Sequence, residues 1–237
     1  ALVDALLVAV ERTGVTVVRG GVKRLTVAPD GGRVVGVVID AAAAGAAASR
    51  PVDAGTVVLA AGCATPLVPG VPDVVRLPVR PIKGQILTLA QPAGDPLLSR
   101  TVRGIVRGGS VYLVPRDDGR VVVGATVEER GWDTTPTAGG AYELLRDALA
   151  LVPGLDDAAF VAARAGLRPG SPDDLPMIGA TAVPGLVVAT GHHRNGVLLT
   201  PVTAEAVAAV VAGGALPDEV TPCDPRRFAG RPAEVVT

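Results

Sequence analysis

Two short segments hold most of the residues able to do chemistry. In the first, Ala165-Gly166-Leu167-Arg168-Pro169-Gly170-Ser171-Pro172-Asp173-Asp174, an apolar run predicts a strand that ends in Pro-Gly with Arg168 at its close. A planar fork of N–H donors matches a carboxylate through two parallel hydrogen bonds, so Arg168 suits a small acid. The plainer use of that spacing is a surface pair with Asp173 or Asp174. In the second, Gly191-His192-His193-Arg194-Asn195-Gly196-Val197-Leu198-Leu199 follows a buried-strand pattern, Gly185 to Thr190, and leads into an apolar helix expected from Gly196 to Ala212. A strand, a glycine-bounded loop and a helix N-terminus bring backbone N–H groups and a positive helix end to one point, which suits an anion. The plain alternative is an ordinary solvated turn.

His192 and His193 are the only histidines. Adjacent side chains diverge in an extended loop, and no Cys or further His stands nearby to complete a tetrahedral set, so no metal is expected. Neither segment holds a nucleophile beside a base. Tyr112, one of two tyrosines, falls on a predicted strand, where its hydroxyl either assists at a site or caps a buried amphipathic ring.

The elements that must position these residues are readable in outline. A helix opens at Leu2 and stops at Gly14, and the apolar run Val15 to Val18 predicts a strand. Residues 22–28 and 33–40 predict a hairpin around Pro29-Asp30-Gly31-Gly32. The Ala-rich stretch Ala41 to Arg50 reads as a loop tip. Thr56 to Ala61, ending in Gly62, has the pattern of a buried parallel strand whose end faces a ligand crevice. From Arg76 onward, short strands (Leu87–Leu89, Val111–Val114, Val121–Val123, Ala159–Leu167) are punctuated by Pro and Gly and predict an antiparallel sheet, with a helix from about Gly140 to Leu151. The whole is a mixed α/β (α+β) chain: residues 1–75 and 176–237 form one domain, and 76–175 an inserted sheet domain.

Composition narrows the function classes. The chain carries 22 Lys plus Arg against 23 Asp plus Glu and only 2% aromatics, without the basic field or stacking rings that nucleic acid needs. Pro or charge interrupts every apolar run before the ~18 residues a bilayer requires. Cys63 and Cys223 stand in no paired spacing, which agrees with a reducing cytoplasm.

Five motifs together are similar to glycine oxidases of thiamine biosynthesis, FAD-dependent amine oxidases of the D-amino-acid oxidase superfamily. They are Pro78-Val79-Arg80-Pro81-Ile82-Lys83-Gly84-Gln85, Tyr112-Leu113-Val114-Pro115-Arg116, Val123-Gly124-Ala125-Thr126, and the two segments above, extended to Gly179. The resemblance covers essentially the whole chain. It implies an incomplete Rossmann-like FAD-binding domain with an inserted antiparallel substrate domain. It also implies oxidation of glycine, sarcosine and small D-amino acids by hydride transfer to noncovalent FAD, with O₂ as the second substrate and no catalytic side-chain base. Arg168 would grip the substrate carboxylate, helped by Tyr112 and Arg194. Val22, Ala61, Gly62, Gly191, His192, His193, Arg194, Asn195, Gly196, Val197 and Leu198 would serve the flavin. A homo-oligomer and a thiazole-forming enzyme are the partners it suggests. Two departures stand out: His193 replaces a usual aromatic residue, and Ser110 a histidine found in some relatives. The G-x-G-x-x-G loop is absent, and Ala1 opens inside a helical pattern, so the nucleotide-binding unit is expected to precede it in a longer protein. A D-amino-acid oxidase or dehydrogenase of other range is the nearest alternative. A flavin-less remnant acting as a binding module is the one from another class.

Overall fold

The computed structural model describes residues 2–40, 49–91 and 96–229. Ala1 and all but the last two residues of the Ala-rich stretch 41–50 lie outside them. The chain divides into two compact units, one of residues 1–78, 177–190 and 200–237, the other of 79–176 and 191–199.

The first unit opens with α1 (Leu2–Arg12), after which Gly14 takes the left-handed conformation expected of a helix stop, with φ +75°. Val15 to Val18 do not form a strand. No strand among the described residues pairs with them, and Val15, Val17 and Val18 are exposed. The expected hairpin is present as β1 (Val22–Val27) and β2 (Val34–Ile39). Gly31 at φ +73° makes its turn, closed by Ala28 N–H to the Arg33 carbonyl at 2.8 Å. A third strand, β3 (Arg50–Asp53), extends that sheet. In a second small sheet, β4 (Val57–Leu59) runs parallel to β11 (Leu186–Thr190), and β11 pairs antiparallel with β10 (Met177–Ala180).

The last helix, α3, spans Thr200–Val211, four residues later than expected. Pro201 explains the shift. In a helix begun at Gly196 it would be the sixth residue, where it lacks an N–H and its ring strikes the preceding turn; in one begun at Thr200 it sits in the first turn and costs nothing. Ala206 of α3 packs on Ile178 and Val220.

The second unit is built on a five-stranded antiparallel sheet in the order β6-β7-β8-β5-β9: β5 (Arg80–Ala90), β6 (Val102–Val106), β7 (Gly109–Pro115), β8 (Arg120–Gly124) and β9 (Ala159–Gly170). α2 (Ala138–Leu151) starts two residues before the expected Gly140, because the Thr137 hydroxyl accepts from Gly140 N–H and caps it there. The period-two alternation sends Leu87, Leu89, Val111, Leu113, Val121 and Val123 to one face, where they bury against Leu144 and Ala148 of α2. Each such leucine contributes about 1.5–3 kcal/mol by leaving water. The alternate residues necessarily face the other way, and those include Arg103, Tyr112, Gly124, Gly84 and Arg168.

On the helix side, a polar latch holds the chain that links β8 to α2. Lys83, wholly buried, donates from Nζ to Asp133 Oδ2 and to the Thr135 carbonyl, both at 2.6 Å. Gln85 donates to Glu128 Oε1 at 2.8 Å and accepts from Thr137 N–H at 2.8 Å. Thr126 and Glu128 close the circuit through a 2.6 Å hydroxyl-to-carboxylate bond.

Candidate functional site

A cleft of about 1030 Å³ opens on the charged face of the sheet, entirely within the second unit. Its lining joins Tyr112 and Arg168 from the sheet to His193, Arg194, Asn195, Gly196 and Val197 from the loop. Arg168 is not at the end of its strand as expected. It lies within β9, paired with Ile82, and the strand continues through Pro169 to Gly170.

Two glycines let the site residues lie down on the sheet. A Cβ at Gly84 would occupy the space of the Arg168 guanidinium, and one at Gly124 would fall inside the Tyr112 ring. Glycine in the interior of a strand weakens it and marks such a close approach. With its side chain laid over Gly84, Arg168 donates from Nη1 to the Thr126 carbonyl at 3.1 Å. It pairs with neither Asp173 nor Asp174; among the described residues no carboxylate lies within ion-pairing distance of it. Burial lowers its proton affinity, Tyr112 offsets this in part, and the charge of Arg194 adds a smaller push in the same direction as burial. A half-buried cation without a counter-ion favours an anionic ligand.

The loop is anchored by His193 N–H to the Pro169 carbonyl at 2.8 Å and turned by Asn195 N–H to the His192 carbonyl at 2.9 Å. Gly191 and His193 both take positive φ, +76° and +48°. Burial lowers the pKa of His192. Burial, Arg168 and Arg194 together lower that of His193, against a weaker opposing pull from Asp174, whose Oδ1 lies 3.9 Å from Nδ1. Both imidazoles are thus held toward the neutral form. Val22, Ala61 and Gly62 belong to the first unit: Val22 begins β1, and Gly62, with φ +56°, follows β4 and accepts from the Thr190 hydroxyl at 3.0 Å. Gly191, His192 and Leu198 flank the loop residues that line the cleft. Arg103, Gly104, Ile105 and Ala125 also line it, as does Ser110. The four were not singled out from sequence, although Arg103 and Ile105 stand at alternate positions of a Val-Arg-Gly-Ile-Val run that reads as a strand.

Residues 1–210 match the model of DAO, the FAD dependent oxidoreductases. The chain belongs to this family. It is 38% identical over 156 residues to the bifunctional protein ThiO/ThiG of Synechocystis sp., matching 66% of this chain and 24% of that one. Against glycine oxidase of Pseudomonas putida it is 42% identical over 142 residues, 59% of this chain and 37% of that one. Among solved structures, iminodiacetate oxidase from Chelativorans sp. BNC1 superimposes with a TM-score of 0.80 at 29% identity, over 94% of this chain and 57% of that one. The chain therefore spans well under two thirds of each of these relatives.

Residues of the second unit's loop fit one edge of a flavin. Val197 and Leu198 expose 74% and 78% of their surface, apolar area suited to cover by a ring. His193 Nε2 is buried without a hydrogen-bond partner among the described residues, an orphan that a polar ring edge would satisfy. Because the helix begins at Thr200, the backbone amides that such a ring edge would meet belong to the turn at 193–199 and not, as the sequence led us to expect, to the first turn of a helix begun at Gly196.

The glycine floor yields a test. Gly84→Ala should weaken acetate binding to the flavoprotein by about tenfold or more, roughly 1.4 kcal/mol, because the guanidinium must leave its seat. Thermal stability should hold or rise, since alanine is the better strand residue. Calorimetric titration alongside a melting curve would check this; unchanged acetate affinity would mean that the seat of Arg168 does not matter to it.

Proposed function

We propose that the protein oxidises glycine and small amines, including sarcosine, small D-amino acids and N-substituted glycines, with noncovalent FAD and O₂. For glycine the balance is glycine + O₂ + H₂O → glyoxylate + NH₄⁺ + H₂O₂, through an imine that hydrolyses after release of the electron pair. The observation that carries this reading is Arg168 laid over Gly84, without a carboxylate partner among the described residues, in a cleft that also holds Tyr112 and the turn from His193 to Val197. The names glycine oxidase, ThiO/ThiG and iminodiacetate oxidase among its relatives support it.

When bound, the flavin supplies the hydride acceptor and the route to O₂. The chain's own residues bind and orient. Arg168 receives the substrate carboxylate through its fork, and the Tyr112 hydroxyl donates to the same group, which fixes the direction of the Cα–H bond. No aspartate or glutamate lines the cleft, so no strong base waits for a proton. The guanidinium of Arg194, which lines the cleft and has no ion pair among the described residues, instead favours the neutral amine over the ammonium form, the state from which hydride can leave. The same positive field opposes protonation of His193 and favours any negative charge gathered on an electron acceptor beside it.

We assign residues 1–75 and 176–237 to the FAD-binding domain and 76–175 to the substrate domain. The ThiO/ThiG relative supports a thiazole-forming partner. Cys63, a free thiol, accords with the cytoplasm, and no described helix is long and apolar enough to cross a membrane. The test is peroxide release by the flavin-loaded full-length protein with glycine, sarcosine and D-alanine as separate substrates. Flavin reduction by at least one of them under argon is expected. Failure with all three would overturn the reading.

A further inference from the structure

None of the five strands of the second unit's sheet contains an aspartate or glutamate, yet they contain five arginines. Two of the five have acidic partners outside the sheet, Arg80 with Glu129 and Arg120 with Asp118. Arg103 has no such partner among the described residues, and it lines the cleft with Arg168. The register places the two on one face of the sheet. Arg103 sits opposite Tyr112 on the neighbouring strand and leans over it, its Cζ 6.0 Å from the ring centroid. Arg168 leans the other way, from β9 over Gly84 on β5. Between β7 and β5 lies only β8, two spacings of ~4.8 Å, and Gly84 stands two residues (~6.6 Å) along β5 from Ile86, which is level with Gly124 and Tyr112, so the guanidiniums stand about 12 Å apart with the Tyr112 ring between them. The edge of the cleft beside Arg103 also holds the Ser110 hydroxyl.

We infer that the cleft is a two-anion site: Arg168 takes the carboxylate next to the amine, and Arg103, with Ser110, takes a second anionic group carried on the amine substituent. The substrate class is thus an N-substituted glycine bearing a second carboxylate or a group of like charge. This inference rests on the amine-oxidase reading for the role of Arg168, and it assigns Arg103 and Ser110, to which that reading gives no part. Two guanidiniums at a span of about 12 Å can each meet one end of a short diacid, whereas a lone carboxylate meets only one of them.

A matched pair of amine-free acids separates the ideas. Diglycolate and methoxyacetate share one carboxymethyl ether, and only diglycolate carries the second carboxylate; neither has an amine to oxidise. With the flavin-loaded full-length protein, calorimetry should give diglycolate a Kd at least about tenfold below that of methoxyacetate, an advantage that shrinks as salt rises. Arg103→Ala should bring the ratio of the two Kd values to near one, Arg103→Lys should keep part of it, and Arg168→Ala should weaken both acids. Equal affinity of the two acids for the unmodified protein, or a diglycolate advantage that survives Arg103→Ala, would overturn the two-anion site while leaving Arg168 as the carboxylate residue. Methoxyacetate binding untouched by Arg168→Ala would instead overturn the reading beneath it, and the two-anion site with it.

Discussion

Arg168→Ala is expected to lower kcat/KM for glycine by about 10² or more, and Arg168→Lys by less. The guanidinium is half-buried above Gly84, and among the described residues the Thr126 carbonyl is its one hydrogen-bonding partner and no carboxylate pairs with it. Its remaining donors are therefore available to a ligand. A charge-assisted pair of bonds in a partly dry cleft contributes on the order of 3 kcal/mol, and each ~1.4 kcal/mol corresponds to a tenfold change in rate constant. Lysine keeps the charge and loses the fork, so binding should survive in part while orientation suffers, and kcat should fall along with the rise in KM. Tyr112→Phe removes one neutral donor and should cost less than either. Stability separates this account from a structural one. Arg168 belongs to no ion pair and to neither apolar cluster, so its loss should leave the melting temperature within a few degrees. Near-normal glycine kinetics together with a lowered melting temperature would show that the residue serves the sheet, and Arg194 would become the next candidate.

How far the site was legible in the sequence depends on which physical signal each part carries. Arg168, Tyr112 and the loop at 191–198 were assigned to a site by the resemblance of five ordered motifs, since a surface ion pair, a buried amphipathic ring and a solvated turn account for each of them locally. The hairpin at 22–39 and the helix ending at Leu151 were legible because turn glycines and Pro153 act locally. Long-range pairing left no comparable mark. The eleven-residue β5 reads in isolation as the three-residue run Leu87–Leu89, since Lys83, Gly84 and Gln85 break the apolar pattern. They do so for reasons that only the fold explains: Lys83 and Gln85 are satisfied by the segment 126–137, and Gly84 makes room for Arg168. Gly124 was visible as part of a resembling motif, but its meaning as the floor of Tyr112 depends on a register that sequence periodicity cannot fix. The strand expected at Val15–Val18 failed for the converse reason, because an apolar run becomes a strand only when a partner takes up its backbone groups.

The buried lysine gives the largest expected effect on stability. Lys83→Met should destabilise the folded protein by about 1–2 kcal/mol near neutral pH, the scale of charge-assisted hydrogen bonds lost from a buried ammonium whose carboxylate partner stays open to solvent. The substitution keeps the length and apolar stem of the side chain, so the loss measures the ammonium and its bonds to Asp133 and the Thr135 carbonyl. Both acceptors lie in the segment that leads from Thr126 to the cap of α2, beyond the backbone bridge that pairs Glu128 with Lys83. The pH dependence identifies the partner. The Lys83 ammonium, then the Thr135 N–H and hydroxyl, lower the Asp133 pKa to about 2 from the ordinary 3.8. A carboxylate whose folded pKa is depressed contributes stability above its unfolded pKa and loses it as pH falls through the folded one. The contribution should therefore be full above about pH 4 and fade between roughly pH 4 and 2. Lys83→Met should remove much of that slope, and Asp133→Asn should remove it while keeping the Thr135 carbonyl bond. Urea unfolding of the three proteins across that pH interval checks both claims. If Lys83→Met unfolded at the same urea concentration as the unmodified protein at neutral pH, the latch would not be holding the segment that carries the carbonyl partner of Arg168.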